Sequence, residues 1–178
     1  METSQLVLTA LGPDRPGIVD TISRYIFKHG GNIEDSRMAV LGSEFAMIMR
    51  VTGSRDAMAA IRQNKAEIEN EAGISIVIKE TRIRPKPKDI VPYRLTVTCL
   101  DHPGVVHRIS SLIASKRINI EAMETESYAA PITGSQLFRF EAVISIPASK
   151  SISGLKKELE RLAEDNNFDM RMETLTLD

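Results

Sequence analysis

The chain has 178 residues, 42% apolar and 26% charged, the balance of a soluble globular protein. Its single cysteine, Cys99, excludes an internal disulfide framework, and a net charge of -1 at pH 7 lacks the basic excess with which nucleic-acid binders neutralise phosphate. Aromatic residues make up only 4% and there is no Trp, so the core must be aliphatic. No apolar run approaches the ~20 residues of a membrane span. Residues 1–8 lack the basic-then-apolar pattern of a signal peptide. The expectation is a cytoplasmic protein that binds neither membrane nor, directly, nucleic acid.

In chain order, residues 6–11 form a short apolar run that ends at Gly12-Pro13 and reads as a strand. Ile18, Val19, Ile22, Tyr25 and Ile26 recur at helical spacing, with Pro16 suited to the first turn and Gly30-Gly31 to the stop. Residues 32–41 and 45–52 read as two strands of a hairpin turning at Gly42-Ser43. Residues 54–72 predict one helix, capped by Ser54, with Ala57, Ile61 and Ile68 inward and Gly73 at its end. Residues 74–81 alternate β-branched side chains and predict a closing strand. Alternating Pro and charge from Ile83 to Asp89 argue an extended connector. Strand signals return at 95–100, 119–127, 137–146 and 168–177. Helix signals return at 105–116, with Val106, Ile109 and Ile113 inward, and at 151–164, with a stripe of Ile152, Leu155, Leu159 and Leu162. The expected domains are 1–83 and 92–178, joined by a linker at 84–91.

The second half repeats the first. Residues 8–34 align without a gap on residues 95–121, at an offset of 87 and with 12 identities in 27 positions. Asp14-x-Pro16-Gly17 falls on Asp101-x-Pro103-Gly104, and Asn32-Ile33-Glu34 on Asn119-Ile120-Glu121. Each copy gives the order β-α-β-β-α-β, the ferredoxin-like plan. The fold class is therefore α+β: two tandem units, each an antiparallel sheet with helices on one face and the other face left to be covered. The second copy carries about six extra residues near 128–135.

No P-loop, dinucleotide fingerprint, HExxH or GxSxG motif is present, which argues against an enzyme and gives no reason to expect a cofactor. Cys99, Asp101 and His102 are too few for a structural metal site, and Cys99 reads as a small buried hydrophobe. The repeated Asp-x-Pro-Gly loop is more informative. It leads a strand into a helix N-terminus, where unpaired N–H groups and the helix dipole seat a carboxylate. Gly17 lets a ligand approach the backbone, Asp14 offers a partner for an ammonium, and Asn32 is both donor and acceptor. Together they fit an amino-acid zwitterion. The same residues also fit a plain structural role, with Asp14 as a helix cap, Gly17 in a turn and Asn32 turning the chain after Gly31.

This order, with D-x-P-G and N-I at its joints, resembles the ACT domain, a ferredoxin-like regulatory module that binds amino acids in metabolic enzymes. The first copy is similar to one family in particular. Thr9-Ala10-Leu11-Gly12, Asp14-Arg15-Pro16-Gly17-Ile18-Val19, residues 32–37, residues 41–45 and Arg84-Pro85-Lys86-Pro87 resemble the glycine cleavage system transcriptional repressors. The resemblance implies an effector site between paired units, formed by the first strand–helix loop of one and the opening of the second strand of its neighbour. Its residues would be Gly12, Asp14, Arg15, Pro16, Gly17, Asn32 and Ile33, and in the second copy Asp101, His102, Pro103, Gly104, Asn119 and Ile120. In serine-binding relatives the position of Gly12 carries a contacting side chain; here it holds glycine, and Cys99 in the second copy. The implied function is a repressor that senses a small amino acid, glycine or similar, and contacts a transcription-activator protein as a homo-oligomer, a dimer. The alternative is a regulatory subunit or effector-binding module of a metabolic enzyme.

Overall fold

The computed structural model describes residues 3–82 and 89–175. Its contacts divide the chain into two compact units, Met1–Pro85 and Lys86–Asp178. The linker expected at 84–91 falls largely outside the described residues.

The first unit runs β1 (Thr3–Pro13), α1 (Ile18–Lys28), β2 (Asn32–Leu41), β3 (Glu44–Ser54), α2 (Arg55–Gln63), α3 (Lys65–Ala72) and β4 (Ser75–Glu80). Its sheet has the order β2-β3-β1-β4, with every pair antiparallel. Alternation along the strands sends Leu6, Leu8 and Ala10 of β1 and Phe45, Met47, Met49 and Val51 of β3 to one side, where they are buried with Ile22, Ile26, Ile61 and Ile68 of the helices. Each of the larger of these side chains, Ala10 excepted, contributes roughly 1.5–3 kcal/mol on burial. Tyr25 anchors α1 to α2 by donating its hydroxyl to the Ile61 carbonyl at 2.8 Å. Burial, with the nearby Glu67 carboxylate adding, pushes that hydroxyl's pKa up to about 12.

The second unit runs β5 (Ile90–Leu100), α4 (Val105–Ser115), β6 (Asn119–Ala129), β7 (Gln136–Pro147), α5 (Ile152–Asn166) and β8 (Asp169–Thr174), with sheet order β6-β7-β5-β8. The β-α-β-β-α-β order expected from the sequence is present twice.

Several details depart from expectation. The helix expected over 54–72 is two helices, because Asn64 leaves helical geometry and both its N–H and its side-chain amide bond to the Ala60 carbonyl. Its counterpart α5 is one helix of 15 residues. Pro16 lies outside the first turn of α1, which begins at Ile18 after Gly17 as N-cap. Of the apolar residues at helical spacing in α1, Ile18, Ile22, Tyr25 and Ile26 are buried and Val19 is exposed. Residues 90 and 91, expected in the linker, belong to β5, because β7 is long enough to pair Ile90 with Pro147. Both second strands carry a bulge at the repeated glutamate, between Ile33 and Asp35 and between Ile120 and Ala122.

Candidate functional site

The two Asp-x-Pro-Gly loops are built alike. In each, the backbone N–H of the aspartate is held by the hairpin of the same unit: Asp14 donates to the Ser43 carbonyl in the turn at 2.8 Å, and Asp101 to the Gln136 carbonyl at the start of β7 at 2.9 Å. In each, the glycine is the helix N-cap in the left-handed region, Gly17 at φ 90° and Gly104 at φ 98°. A Cβ on Gly17 would meet nothing within 4 Å, so backbone conformation rather than crowding requires glycine there.

Neither helix receives a side-chain cap, so Asp14 and Asp101 do not play the capping role. The second helices contrast with this. Ser54 accepts from Ala57 N–H and Ser151 from Gly154 N–H, both at 3.1 Å. The leading N–H groups of α1 and α4 therefore keep the unpaired state inherent to a helix start, behind loops that are exposed to solvent.

The other expected residues sort by position. Arg15 is turned away to α3, where its guanidinium donates to the carbonyls of Glu71 at 2.9 Å and Ala72 at 3.3 Å and closes that helix's C-terminus. His102, at the same place in the second unit, stacks on Phe168 with ring centroids 6.0 Å apart. Pro16 and Pro103 shape the turn before each helix. Gly12 is buried under the α3–β4 junction. A Cβ there would stand 2.9 Å from Ile74 Cγ2 and 3.1 Å from the Gly73 carbonyl, so the position has no room for the side chain that serine-binding relatives carry. At the matching place Cys99 is buried, and burial with Asp101 nearby pushes its thiol pKa up.

Asn32 and Asp14 do not meet within one unit. Asn32 pairs in register with Thr52, which pairs with Gln5, whereas Asp14 follows Pro13 at the far end of β1. Eight residues of strand at ~3.3 Å each separate the two levels by roughly 26 Å. Asn119 and Asp101 are separated in the same way. Ile33 and Ile120 are partly buried and pack against their own cores.

The units differ in how far these polar groups are engaged. In the second, Asp101 accepts from the Ser127 hydroxyl at 2.8 Å and Asn119 donates to Glu121 at 2.7 Å. In the first, Val40 stands where Ser127 does, and the side chains of Asp14 and Asn32 bond to no other described residue. Val40 and Ser127 lie beyond the aligned residues 8–34 and 95–121, so sequence inspection missed this exchange.

The ACT domain family's sequence profile matches residues 4–79. The glycine cleavage system transcriptional repressor of Escherichia coli (strain K12) is 33% identical over 162 residues, which span 91% of this chain and 85% of that one. A solved protein of unknown function from Galdieria sulphuraria superposes with a TM-score of 0.82 at 29% identity, covering 98% of this chain and 100% of the other. A further solved protein, ascribed to the glycine cleavage repressors, gives a TM-score of 0.75 at 21% identity over 99% of this chain and 100% of its own, a likeness of fold. Coverage of the E. coli protein extends across both units, and its name is that of a regulator. Two tandem ACT-type units and a relation of 33% identity that spans nearly the whole length place this chain in the glycine cleavage system transcriptional repressor family.

Proposed function

We propose that the chain is an amino-acid-responsive repressor of glycine cleavage genes that acts through contact with an activator protein rather than with DNA. The observation that carries the sensing half is the uncapped N-terminus of α1 beside an unengaged Asp14. The helix start takes the ligand carboxylate and Asp14 takes the ammonium. Asn32 lies too far away within the same unit, so the site is completed by the strand opening of another ACT unit, and the working state is a homo-oligomer, a dimer. Asp101 and Asn119 already have partners, which supports effector binding at the first unit rather than the second. The net charge of -1 supports action through protein contact. Glycine has five heavy atoms, so a ceiling of ~1.5 kcal/mol per atom limits its Kd to about micromolar, a range suited to sensing a metabolite pool.

Calorimetry with glycine, serine and alanine tests the ligand. Binding by the parent protein, lost in Asp14→Ala and Asn32→Ala but kept in Asp101→Ala, is the expected result. No heat with any amino acid sinks the sensing half. A mobility-shift assay on glycine cleavage promoter DNA tests the other half: a shift by this protein alone defeats repression by protein contact.

A further inference from the structure

A strand at the edge of a sheet turns every second N–H and C=O away from its neighbour, and these groups are a template for another strand. The last strands of the two units, β4 and β8, are such edges, and they are finished differently. In the first unit the Thr81 N–H bonds to the Gln5 carbonyl, so alternation points the backbone groups of Ile76, Ile78 and Glu80 outward. Ile76 is closed off by α3: its N–H donates to the Glu69 carboxylate at 2.8 Å and its carbonyl accepts from Lys65 at 2.9 Å. In the second unit the Leu175 N–H bonds to the Pro92 carbonyl, so Met170, Met172 and Thr174 point outward. Lys65 and Glu69 stand eleven and seven places before Ile76; at the same spacing before Met170 stand Leu159 and Ala163. Neither side chain can bond to a backbone. With Phe168, Met170 and Met172 they line instead an open groove of about 380 Å³ beside the strand. Its charged residues, Lys156, Glu160 and Glu164 on the helix side, are exposed.

We propose that β8 pairs antiparallel with β8 of a second copy of the chain, about a two-fold axis at Met172, and so joins the two sheets edge to edge. The strand is complementary to itself in that register. The open N–H and C=O of Met172 meet those of Met172 in the second copy, and those of Met170 meet those of Thr174, which satisfies all three residues. On the open face of the sheet Arg171 stands opposite Glu173 of the second copy, twice over. Neither side chain has a partner among the described residues of its own chain. On the helix side the methionines of the second copy extend the apolar lining of the groove. Asp169 falls opposite Leu175 at the end of the seam, on the face that water reaches. The neighbouring two-fold registers fail. An axis at Arg171 sets arginine against arginine and Asp169 against Glu173, and one at Glu173 sets glutamate against glutamate. An axis at Met170 brings Met172 to Phe168, whose N–H is already given to the Ala163 carbonyl at 2.9 Å. This match of charge, open backbone and apolar side chains within one strand is what selects a second copy over an unrelated peptide. The seam is short, so the association is weak and concentration-dependent. It uses neither Asp14 nor Asn32 and forms without an effector. An effector that bridges two copies, as under the proposed function, adds to it.

Sedimentation velocity on the full chain without amino acids, across a wide concentration range, tests the seam. The expected result is a monomer–dimer equilibrium, with amide exchange at Met172 and Thr174 slowing as the dimer accumulates. Arg171→Glu sets glutamate against Glu173 and should weaken dimerisation by about tenfold. Arg171→Glu combined with Glu173→Arg should restore it. Ala163→Glu gives the second unit the carboxylate that Glu69 gives the first, and should weaken dimerisation while circular dichroism stays native. A protein that stays monomeric throughout, a dimer untouched by Arg171→Glu, or rapid exchange at Met172 within the dimer overturns the proposal. Asp14→Ala should dimerise like the parent without amino acids and lose only the tightening that glycine adds, so failure of the effector site and failure of the seam give different results.

Discussion

Glycine serves two different purposes within six residues of this chain. Gly17 has space for a side chain but a backbone angle that penalises one, whereas Gly12 has an ordinary angle and no space. Gly17→Ala should therefore cost about 1 kcal/mol from conformation alone, with no loss of packing and, on the proposed function, with weakened effector binding. Gly12→Ser forces Cβ onto Ile74 and the Gly73 backbone and should cost about 1–3 kcal/mol; urea melts of the two variants separate these effects. Tyr25→Phe leaves the Ile61 carbonyl without its donor and should cost about 1 kcal/mol. The pH dependence has a defined sign. Because folding raises the Tyr25 pKa from 10.0 to about 12, its contribution is complete below pH 10 and is lost as pH rises through about 12. Alkaline melts of the parent should fall across that window more steeply than those of Tyr25→Phe.

At the scale of elements, the caps divide the helices into two kinds. α2 and α5 are closed by serine and serve packing; Ser54→Ala or Ser151→Ala should each lower stability by about 1 kcal/mol in denaturant melts while leaving ligand binding intact. α1 and α4 are left open. Arg15 links the two purposes, since the loop that carries Asp14 also closes α3. Arg15→Ala should fray α3, seen as faster amide exchange at Glu71 and Ala72, and should loosen the Asp14 loop with it. The junction between α3 and β4 has its own acid limit. The Ile76 N–H, and after it Lys65, hold the Glu69 carboxyl below the usual 4.5. That stabilisation is present above pH 4.5 and disappears as pH falls through the lowered value, so exchange at Ile76 should accelerate only in acid.

At the scale of the whole molecule, duplication produced two copies of one scaffold and divergence gave them different surfaces. Each unit has its own core. We expect residues 1–83 and 92–178, expressed separately, each to unfold cooperatively with about half the denaturant sensitivity of the full chain. A fragment that shows no transition rules out independent domains. The first copy keeps an unengaged aspartate and an unengaged asparagine, whereas the second satisfies both polar groups internally. On the proposed function, this division predicts that substitutions which disable effector response cluster in the first unit, a pattern that a random mutagenesis screen against a glycine-responsive reporter would reveal.

The sequence by itself determined the β-α-β-β-α-β order, its duplication and the loops worth inspecting, because these depend on period, on glycine and proline at turns, and on short motifs repeated in register. Ser54 and the 42–43 turn were legible for the same local reason. Tertiary structure alone decided what each loop residue is free to do. That Arg15 is spent on α3, that Gly12 lies against Ile74, that Ser127 occupies Asp101 and that Asn64 splits a helix all depend on groups brought together from distant parts of the chain or on competition for one carbonyl. The Asp-x-Pro-Gly motif is the same in both copies, and only the neighbours supplied by the fold leave Asp14 unengaged while Asp101 is held.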